Sequence, residues 1–491
     1  MLIWFLPVFL VLLLIGLPVF FALLAAPGVL LWMNGQERDI ALLYRNVYQG
    51  MDNGLLMAIP FFMLAGEMMN RGGITTRLVE FSQALMGHLR GGLAQVNILS
   101  SMLFAGLSGS AVADTSALGS MLIPAMEKEG YTRRFAAAIT AASSVIGPII
   151  PPSGIMIIYA YVMGESVAAL FLAGIVPGVM VGGGLMLMTR FMANRYDFPR
   201  AERIVKAREI GPFESWLARI LGWINLTGIL YLVFLAIGAG TGITLAPSLA
   251  LPLFAVMALA ILLQMRRKML PETRVVWKRA VLPLQTPIII LGGILGGVFT
   301  PTEASAIAVA YAVFIAVFIM RSMTVADFPA VLRKAALTSA MVLLLVGAAM
   351  AFKTVVSLSR APETLAEIIL GLSDNPLMLL FLINILLFIV GMFLDAGPAI
   401  IILGPILGPI FTDLGVDPVH FAIIMSVNLT VGLATPPMGL VLFVASSVSG
   451  ERVETISKAI LPFLAVEILV IFLVTYFPAI SMTIPRLTGF A

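Results

Sequence analysis

The sequence lacks cysteine altogether and has only two histidines among its 491 residues. The absence of cysteine excludes disulfides, thiolate metal sites and cysteine nucleophiles. Charged residues are scarce as well, at 11% of the chain, whereas 60% of the residues are hydrophobic and the mean hydropathy is +1.08. Apolar runs long enough to cross about 30 Å of hydrocarbon recur along the chain. The composition therefore predicts an all-α polytopic membrane protein whose environment is the lipid bilayer.

The few cations are clustered, and their distribution predicts the topology. The net charge of +4 is ordinary for an inner-membrane protein and does not indicate a nucleic-acid partner. Seven basic residues lie within 190–219 and six within 266–279. Cytoplasmic loops carry an excess of lysine and arginine, so both segments are expected in the cytoplasm. The apolar residues between them, about 220–264, are then a transmembrane hairpin that is entered from the cytoplasm.

Two proline pairs interrupt otherwise apolar stretches, at Pro151-Pro152 and Pro436-Pro437. A proline pair breaks a membrane helix and leaves backbone groups unpaired in the hydrocarbon. Such breaks persist only where protein or a polar cavity satisfies the freed groups. Matching breaks in the two halves of a chain point to the binding site of a transporter. The four prolines are therefore functional candidates.

Several landmarks recur at a nearly constant distance along the chain. Pro151 and Pro436 are 285 positions apart; Asp114 and Asp395 are 281 apart, and each aspartate is followed ten residues later by a proline. This offset predicts an internal repeat. The predicted division is a first repeat over 1–195 (hairpin 92–125, broken helix 135–163), linkers and the additional hairpin over 196–282, a second repeat over 283–482 (hairpin 377–410, broken helix 418–446), and a tail over 483–491.

The two repeats are predicted to be inverted relative to each other. Each apolar hairpin starts and ends on one side of the membrane, which is typical of a re-entrant hairpin. The flanking charges place the mouth of the first hairpin in the cytoplasm and that of the second in the periplasm. Inversion requires an odd number of crossings per repeat, so 3–33 and 283–320 are each expected to cross twice, with breaks near Pro18 and Pro301. Amphipathic segments at 74–90 and 361–373 are expected to lie along the membrane surface as arms.

Hydroxyl and carboxylate oxygens gather at the hairpin tips and at the helix breaks. Serine and threonine hydroxyls, freed carbonyls and the Asp395 carboxylate are hard oxygen donors, which suit Na⁺. The N-termini of half-helices favour a carboxylate substrate between the cation sites. An ionisable group at membrane depth is expensive, so Asp114, Glu303 and Asp395 are further functional candidates. Buried structural hydrogen bonding is the alternative role for these three, and helix packing is the alternative role for each small residue.

Two other functional classes are disfavoured. A membrane-embedded enzyme needs a nucleophile–base pair or metal ligands at membrane depth. Neither histidine is placed at helical spacing with a carboxylate, so no enzymatic activity is expected. A channel needs a continuous polar pore, whereas the polar residues here gather at one level.

The chain resembles the large membrane subunit of tripartite ATP-independent periplasmic (TRAP) transporters, within the wider ion-transporter superfamily. The resemblance covers about 1–195 and 283–480, and the additional hairpin lies outside it. The phrases that carry it are FFMLAGEMM (61–69), GLSGSAVADTSALGSMLIPAMEKEGY (106–131), AAITAASSVIGPIIPPSGIMIIY (137–159), GGVFTPTEASAIAVAYA (296–312) and TVGLATPPMGL (430–440).

The resemblance implies a sodium-driven secondary transporter of the bacterial inner membrane with an elevator mechanism. The substrate would be an organic acid, such as a C4-dicarboxylate or sialic acid. By position, one sodium site would draw on Ser108, Ser110, Ser143, Ser144 and Gly147, and the other on Gly391, Asp395, Asn428 and Thr435. Residues expected at the substrate are Ser153, Met438, Thr435 and Asn428.

The resemblance also implies two protein partners. One is a small four-helix membrane subunit, expected on a separate chain because this chain begins directly with the first repeat. The other is a periplasmic substrate-binding protein. The alternative is a stand-alone sodium- or proton-coupled organic-anion symporter or exchanger that needs no binding protein.

Overall fold

The structure is a computed structural model, and its description covers most of the chain. The described residues are 8–9, 11–13, 15–33, 35–36, 40–195, 198, 210–241, 247–269, 271–358, 371, 373 and 375–490. Within these ranges the regular secondary structure is helical, without strands, and eight helices are long and apolar enough to cross a membrane. The predicted all-α polytopic membrane fold is therefore confirmed.

The helices with defined bounds are numbered α1 to α20 in chain order. Those of the first half are α1 Val19–Met33, α2 Ile40–Met51, α3 Ala58–Arg71, α4 Ile74–Met86, α5 Gly92–Ser108, α6 Ala111–Lys128, α7 Arg133–Ser144, α8 Gly154–Met163 and α9 Val167–Arg195. The next three are α10 Pro212–Thr241, α11 Pro247–Lys268 and α12 Pro271–Leu295. The remainder are α13 Pro301–Val313, α14 Phe328–Leu358, α15 Pro376–Phe393, α16 Ala396–Asp413, α17 Pro418–Gly432, α18 Leu440–Ser449, α19 Val453–Tyr476 and α20 Ala479–Thr488.

Five consecutive helices of the first half recur in the same order in the second half. Helices α5 to α9 and α15 to α19 start 284 to 286 positions apart. In each set, two helices form a hairpin, two short helices flank a proline break, and one long helix follows. Both proline pairs contain a cis peptide bond. The inverted orientation of the second set stays a prediction.

In the structure, the two hairpins align at an offset that differs from the spacing of Asp114 and Asp395. Ser110 caps the N-terminus of α6, and Asp395 caps that of α16, 285 positions later. Asp114 lies one turn inside α6, so it is not the counterpart of Asp395, although the sequence spacing pairs the two aspartates. Pro124 accordingly corresponds to Pro409 rather than to Pro405.

Several helices do not end at the predicted boundaries, and the division into repeats stays a prediction. Helix α12 runs through the predicted boundary at 282/283, and α20 covers much of the predicted tail. The additional hairpin is longer than 220–264, because α10 and α11 together extend from 212 to 268. The sequence predicts breaks near Pro18 and Pro301. Residues 15–18, just before α1, and residues 296–300, just before α13, are not helical. The second predicted amphipathic segment, 361–373, lies largely outside the described residues.

The helices pack in two groups. Helices α1, α2 and α3 of the first half pack with α13 and α14 of the second half. The other group consists of the two hairpins and the two broken helices. In it, each hairpin packs against the broken helix of the other repeat: α16 contacts α8, and α6 contacts α18. The second arm of each hairpin therefore rests on the half-helix that follows the break in the other repeat. This exchange joins both tips and both breaks into one body.

Amphipathic helix α4 is joined to α10 and α12 by ion pairs, and its position along the membrane surface stays a prediction. The Arg77 guanidinium donates to Glu214 at the start of α10, and both side chains are buried. The Arg279 guanidinium of α12 lies 2.8 Å from the Glu80 carboxylate of α4. Burial leaves the charges few other partners, so the first pair fixes the additional hairpin to α4 and the second fixes α12 to the same helix.

Candidate ion and substrate site

The tip of the first hairpin is a tight turn that only glycine fits easily. Gly109 has φ +59°, in the left-handed region, and ends α5. A Cβ at Gly109 would stand 2.9 Å from the carbonyl oxygen of Pro152. The tip therefore touches the proline break of the first broken helix directly. The Ser110 hydroxyl then begins α6 by accepting from the amide of Ala113 at 3.4 Å.

The Asp114 carboxylate is the central charged group at this tip. The side chain is fully buried, and Oδ1 accepts a hydrogen bond from the Ser108 hydroxyl. Oδ2 has no hydrogen-bond partner among the described residues. It lies against Gly147 in the break, because a Cβ there would collide with this oxygen. A buried carboxylate oxygen without a donor, beside backbone carbonyls, matches the needs of a hard cation.

The adjacent serines of α7 point to different neighbours. The Ser144 hydroxyl accepts from Thr115 of α6 at 2.7 Å, one residue from Asp114. The Ser143 hydroxyl instead accepts from Ser101 at 2.8 Å and donates to Asn97 at 3.2 Å, both on α5. The structure thus brings Ser108 and Gly147 to Asp114, places Ser144 beside Thr115, and places Ser143 in a neighbouring polar network.

Ser153 ends the first break. Its hydroxyl donates to the carbonyl of Pro148 at 2.5 Å and caps α8 by accepting from the amide of Met156 at 3.5 Å. The side chain is fully buried. Met438, its predicted counterpart in the second break, is 52% exposed. The two predicted substrate residues therefore occupy different environments in this conformation.

The second tip is built on backbone contact. Gly391 of α15 packs on Gly432 of α17 so closely that a Cβ on Gly432 would stand 2.6 Å from the Gly391 Cα. Asp395 follows as the cap of α16, and its carboxylate accepts from the amide of Ala396 at 2.8 Å. In contrast to Asp114, Asp395 is exposed. Its carboxylate is accessible to a further ligand from the surrounding space.

The two remaining predicted residues of the second site do not meet Asp395 directly. The Thr435 hydroxyl is buried and donates to the carbonyl of Val431 at 2.8 Å. The Asn428 amide donates to Asn384 Oδ1 at 2.7 Å. Asn428 follows Ser143 by 285 positions, and each of the two bonds to the first arm of the hairpin in its own repeat. Asn428 thus belongs to a buried polar network beneath the tip.

Glu303 lies in the first turn of a helix and is not buried, and its functional role stays a prediction. It is exposed and forms a capping box with Thr300 at the start of α13, where its carboxylate accepts from the Thr300 amide at 2.8 Å. Such a box stabilises a helix start. The observed contacts of Glu303 are therefore those of a helix cap.

Sequence reasoning overlooked Glu467 on α19. This residue is fully buried, and neither carboxylate oxygen has a hydrogen-bond partner in the part of the chain that the structure describes. Helix α19 packs on α7, α9 and α17 around it. A glutamate in the middle of the apolar run ILPFLAVEILVIF was the available signal, because charge is rare at such positions.

Comparison with known proteins identifies relatives along the whole chain. The family model for "Tripartite ATP-independent periplasmic transporter, DctM component" matches residues 6–480. The sialic acid TRAP transporter large permease protein SiaM of Vibrio cholerae is 34% identical over 476 residues, which cover 96% of this chain and 95% of that protein. The C4-dicarboxylate TRAP transporter large permease protein DctM of Pseudomonas aeruginosa is 35% identical over 461 residues, covering 94% and 92%. These relatives are transporter permeases and not enzymes.

A solved structure supports the fold. The YdaH transporter of Alcanivorax borkumensis superposes with a TM-score of 0.53 and 16% identity, over 91% of this chain and 89% of that one. At this identity the likeness concerns the fold alone.

Proposed function

Because the chain belongs to the DctM-component family of tripartite ATP-independent periplasmic transporters, we propose that it is the large permease of a sodium-driven importer of an organic acid. As a member of this family with eight candidate spans, it is a multi-pass protein of the inner membrane. Relatives named for sialic acid and C4-dicarboxylate carriers support a carboxylate substrate.

The sodium proposal rests mainly on the Asp114 carboxylate, of which only one oxygen has a hydrogen-bond partner among the described residues. Its Oδ2 is buried and has no described partner at the junction between the first tip and the first break. A Na⁺ ion at this junction would take Asp114, a hydroxyl of Ser108 or Ser144, and carbonyl oxygens of the break. Such a bound ion would supply the missing partner and would also hold the tip on the break.

The second cation is proposed to bind at the second tip, with Asp395 as the charged ligand. Its carboxylate accepts a hydrogen bond from its own helix, which leaves acceptor capacity for an ion. The substrate carboxylate would lie between the cations. Half-helices α8 and α18 begin there with Ser153 and Gly439 as caps, and helix N-termini favour negative charge.

An elevator movement is supported by the division into two packed groups. The hairpins and broken helices form one body, whereas α1–α3, α13 and α14 form the other. Polar bonds join them near the end of α8: the Tyr161 hydroxyl donates to the Gly50 carbonyl at 2.8 Å, and the Lys353 ammonium group donates to the Val162 carbonyl at 2.5 Å. Single bonds of this kind can break and re-form as one body slides along the other.

Thermal unfolding tests sodium binding without knowledge of the substrate. The purified protein, together with its small membrane subunit, would be unfolded in Na⁺ and in K⁺ at equal ionic strength. A ligand at about 100 times its dissociation constant adds about 2.7 kcal/mol if it binds only the folded state. A rise in unfolding temperature specific to Na⁺ is expected. Equal curves in the two salts would reject sodium as the coupling ion.

Reconstitution tests the dependence on partners. The large and small membrane subunits would be placed in liposomes, and uptake of candidate organic acids would be measured with and without the periplasmic binding protein. Uptake that requires both the sodium gradient and the binding protein is expected. Full uptake without the binding protein would favour a stand-alone symporter.

A further inference from the structure

A cavity of about 370 Å³ lies between the additional hairpin and α12, away from both hairpin tips. Its walls come from α10, α11 and α12. Four cations surround one end, namely Arg219, Arg266, Arg274 and Lys278. The other walls are apolar and aromatic. The structure therefore joins a cationic end to a hydrophobic groove in a hairpin to which no role has been given.

The four cations have no acidic partners among the described residues. Arg219, Arg266, Arg274 and Lys278 all line the same cavity. Within the described ranges none of them forms an ion pair with a carboxylate. Ser215 accepts hydrogen bonds from two of these cations: Lys278 donates to its hydroxyl at 2.9 Å, and Arg219 donates to its carbonyl at 3.1 Å. Such a group of like charges attracts an anion.

Two neighbouring acids are already engaged elsewhere. Glu214 lies one helical turn before Ala218 of the cavity wall, but its carboxylate accepts from Arg77 on the side of α4. Glu80 pairs with Arg279, which is not part of the cavity wall. Neither carboxylate is therefore available to the cations of the cavity. Glu272, two residues before Arg274, is exposed and forms no ion pair within the described ranges, so the anion is expected to come from outside the described chain.

The apolar part of the cavity opens toward the hydrocarbon. Leu259 and Leu263 of α11 are 49% and 51% exposed. Trp223 is fixed as a wall because its indole N–H donates to the carbonyl of Ala255 at 2.8 Å. A wall of this kind suits an acyl chain. The four cations belong to the basic segments that the positive-inside rule places on the cytoplasmic side, where acidic headgroups lie.

We propose that this cavity binds an anionic phospholipid of the cytoplasmic leaflet. The phosphate group would lie among Arg219, Arg266, Arg274 and Lys278, and an acyl chain would run along Trp223 and the leucines of α11. Basic pockets between membrane helices on the cytoplasmic side bind acidic headgroups in this way. A free phosphate ion would satisfy the cations but would leave the apolar groove without an occupant. The bound lipid would tie the additional hairpin to α12.

Native mass spectrometry of the delipidated, full-length protein tests the proposal. Phosphatidylglycerol is titrated in parallel with phosphatidylcholine that carries the same acyl chains. The expected result is preferential binding of phosphatidylglycerol. The double variant Arg219→Gln/Arg266→Gln should weaken it about thirtyfold, at about fivefold per cation. The matched control Arg190→Gln/Lys268→Gln removes two exposed cations outside the cavity wall and should leave binding unchanged.

A second variant tests the groove without changing charge. A Cβ at Gly222 would stand 3.8 Å from Val281, an ordinary contact distance, so the larger side chain of Gly222→Leu extends into the cavity. This variant should also weaken phosphatidylglycerol binding. Equal binding of the two lipids, or an equal loss in the control, would overturn the proposal. Displacement of the lipid by inorganic phosphate with no effect of Gly222→Leu would show a simple anion site and would overturn it too.

Discussion

Asp114→Asn is the substitution that tests the proposed ion site most directly. The amide keeps the size of the side chain and can still accept from Ser108 through its oxygen. It removes the negative charge, and it places either an NH₂ group or an uncharged oxygen beside Gly147. The variant should therefore fold, while its affinity for a cation at the first tip should fall.

The expected loss of affinity is large. At about 4 Å and an effective dielectric constant of about 20, two unit charges attract each other by about 4 kcal/mol. Losing this attraction raises a dissociation constant by about a thousandfold. A Na⁺ concentration of about 100 times the original constant stabilises the unsubstituted protein by about 2.7 kcal/mol. The same concentration is only about a tenth of the constant of the variant, so the part of the stabilisation that comes from the first tip falls to about 0.1 kcal/mol, while the part from the second tip remains.

The assay is the unfolding temperature of each protein in Na⁺ minus that in K⁺. Asp413→Asn is the matched control, because it removes the same charge from an exposed position at the end of α16. The control should keep the full sodium-dependent rise. An Asp114→Asn variant with an unchanged rise would refute the assignment, and a control that loses the rise would show a general effect of charge.

Three further predictions concern the structure around the site, and thermal unfolding in K⁺ checks each. Gly109→Ala should lose about 1 kcal/mol more stability than Gly130→Ala, because both glycines have positive φ but only the Cβ at Gly109 would press on backbone; equal losses would contradict the close tip contact. Glu467→Gln should be as stable as the unsubstituted protein or more stable, because the amide replaces a buried carboxyl group that has no described partner, and a loss above about 2 kcal/mol would indicate a bound cation. Arg77→Met or Glu214→Met alone should cost about 3–5 kcal/mol, whereas the double variant should recover much of the loss; additive losses would mean that the pair does not couple.

The positions of helix breaks were predictable because their causes are local. A proline pair cannot continue a helix, so both broken helices and their approximate limits follow from the residue pattern. The hairpin tips were predictable for a similar reason, since Gly109 and the segment around Asp395 lie near the middle of the apolar runs 92–125 and 377–410. Helix offsets of 284 to 286 positions accordingly match the spacing of the prolines.

The partners of individual side chains were not predictable in the same way. Ser143 and Ser144 are adjacent in the sequence, but the helical turn of about 100° between them sends one to α5 and the other to α6. Glu303 and Asp114 both stand in apolar surroundings in the sequence, yet one caps an exposed helix and the other is fully buried. Sequence distance does not report which neighbouring helix covers a side chain.

By itself, the sequence determined the membrane class, the helical architecture, the paired breaks and the family, because composition, proline chemistry and motif phrases are properties of the chain alone. Only the tertiary structure decided that Ser110 corresponds to Asp395, that Asp114 lies against Gly147, and that four cations of three helices close around one cavity. Each of these depends on contacts between residues that lie on different helices, and packing selects those contacts only when the whole fold is assembled.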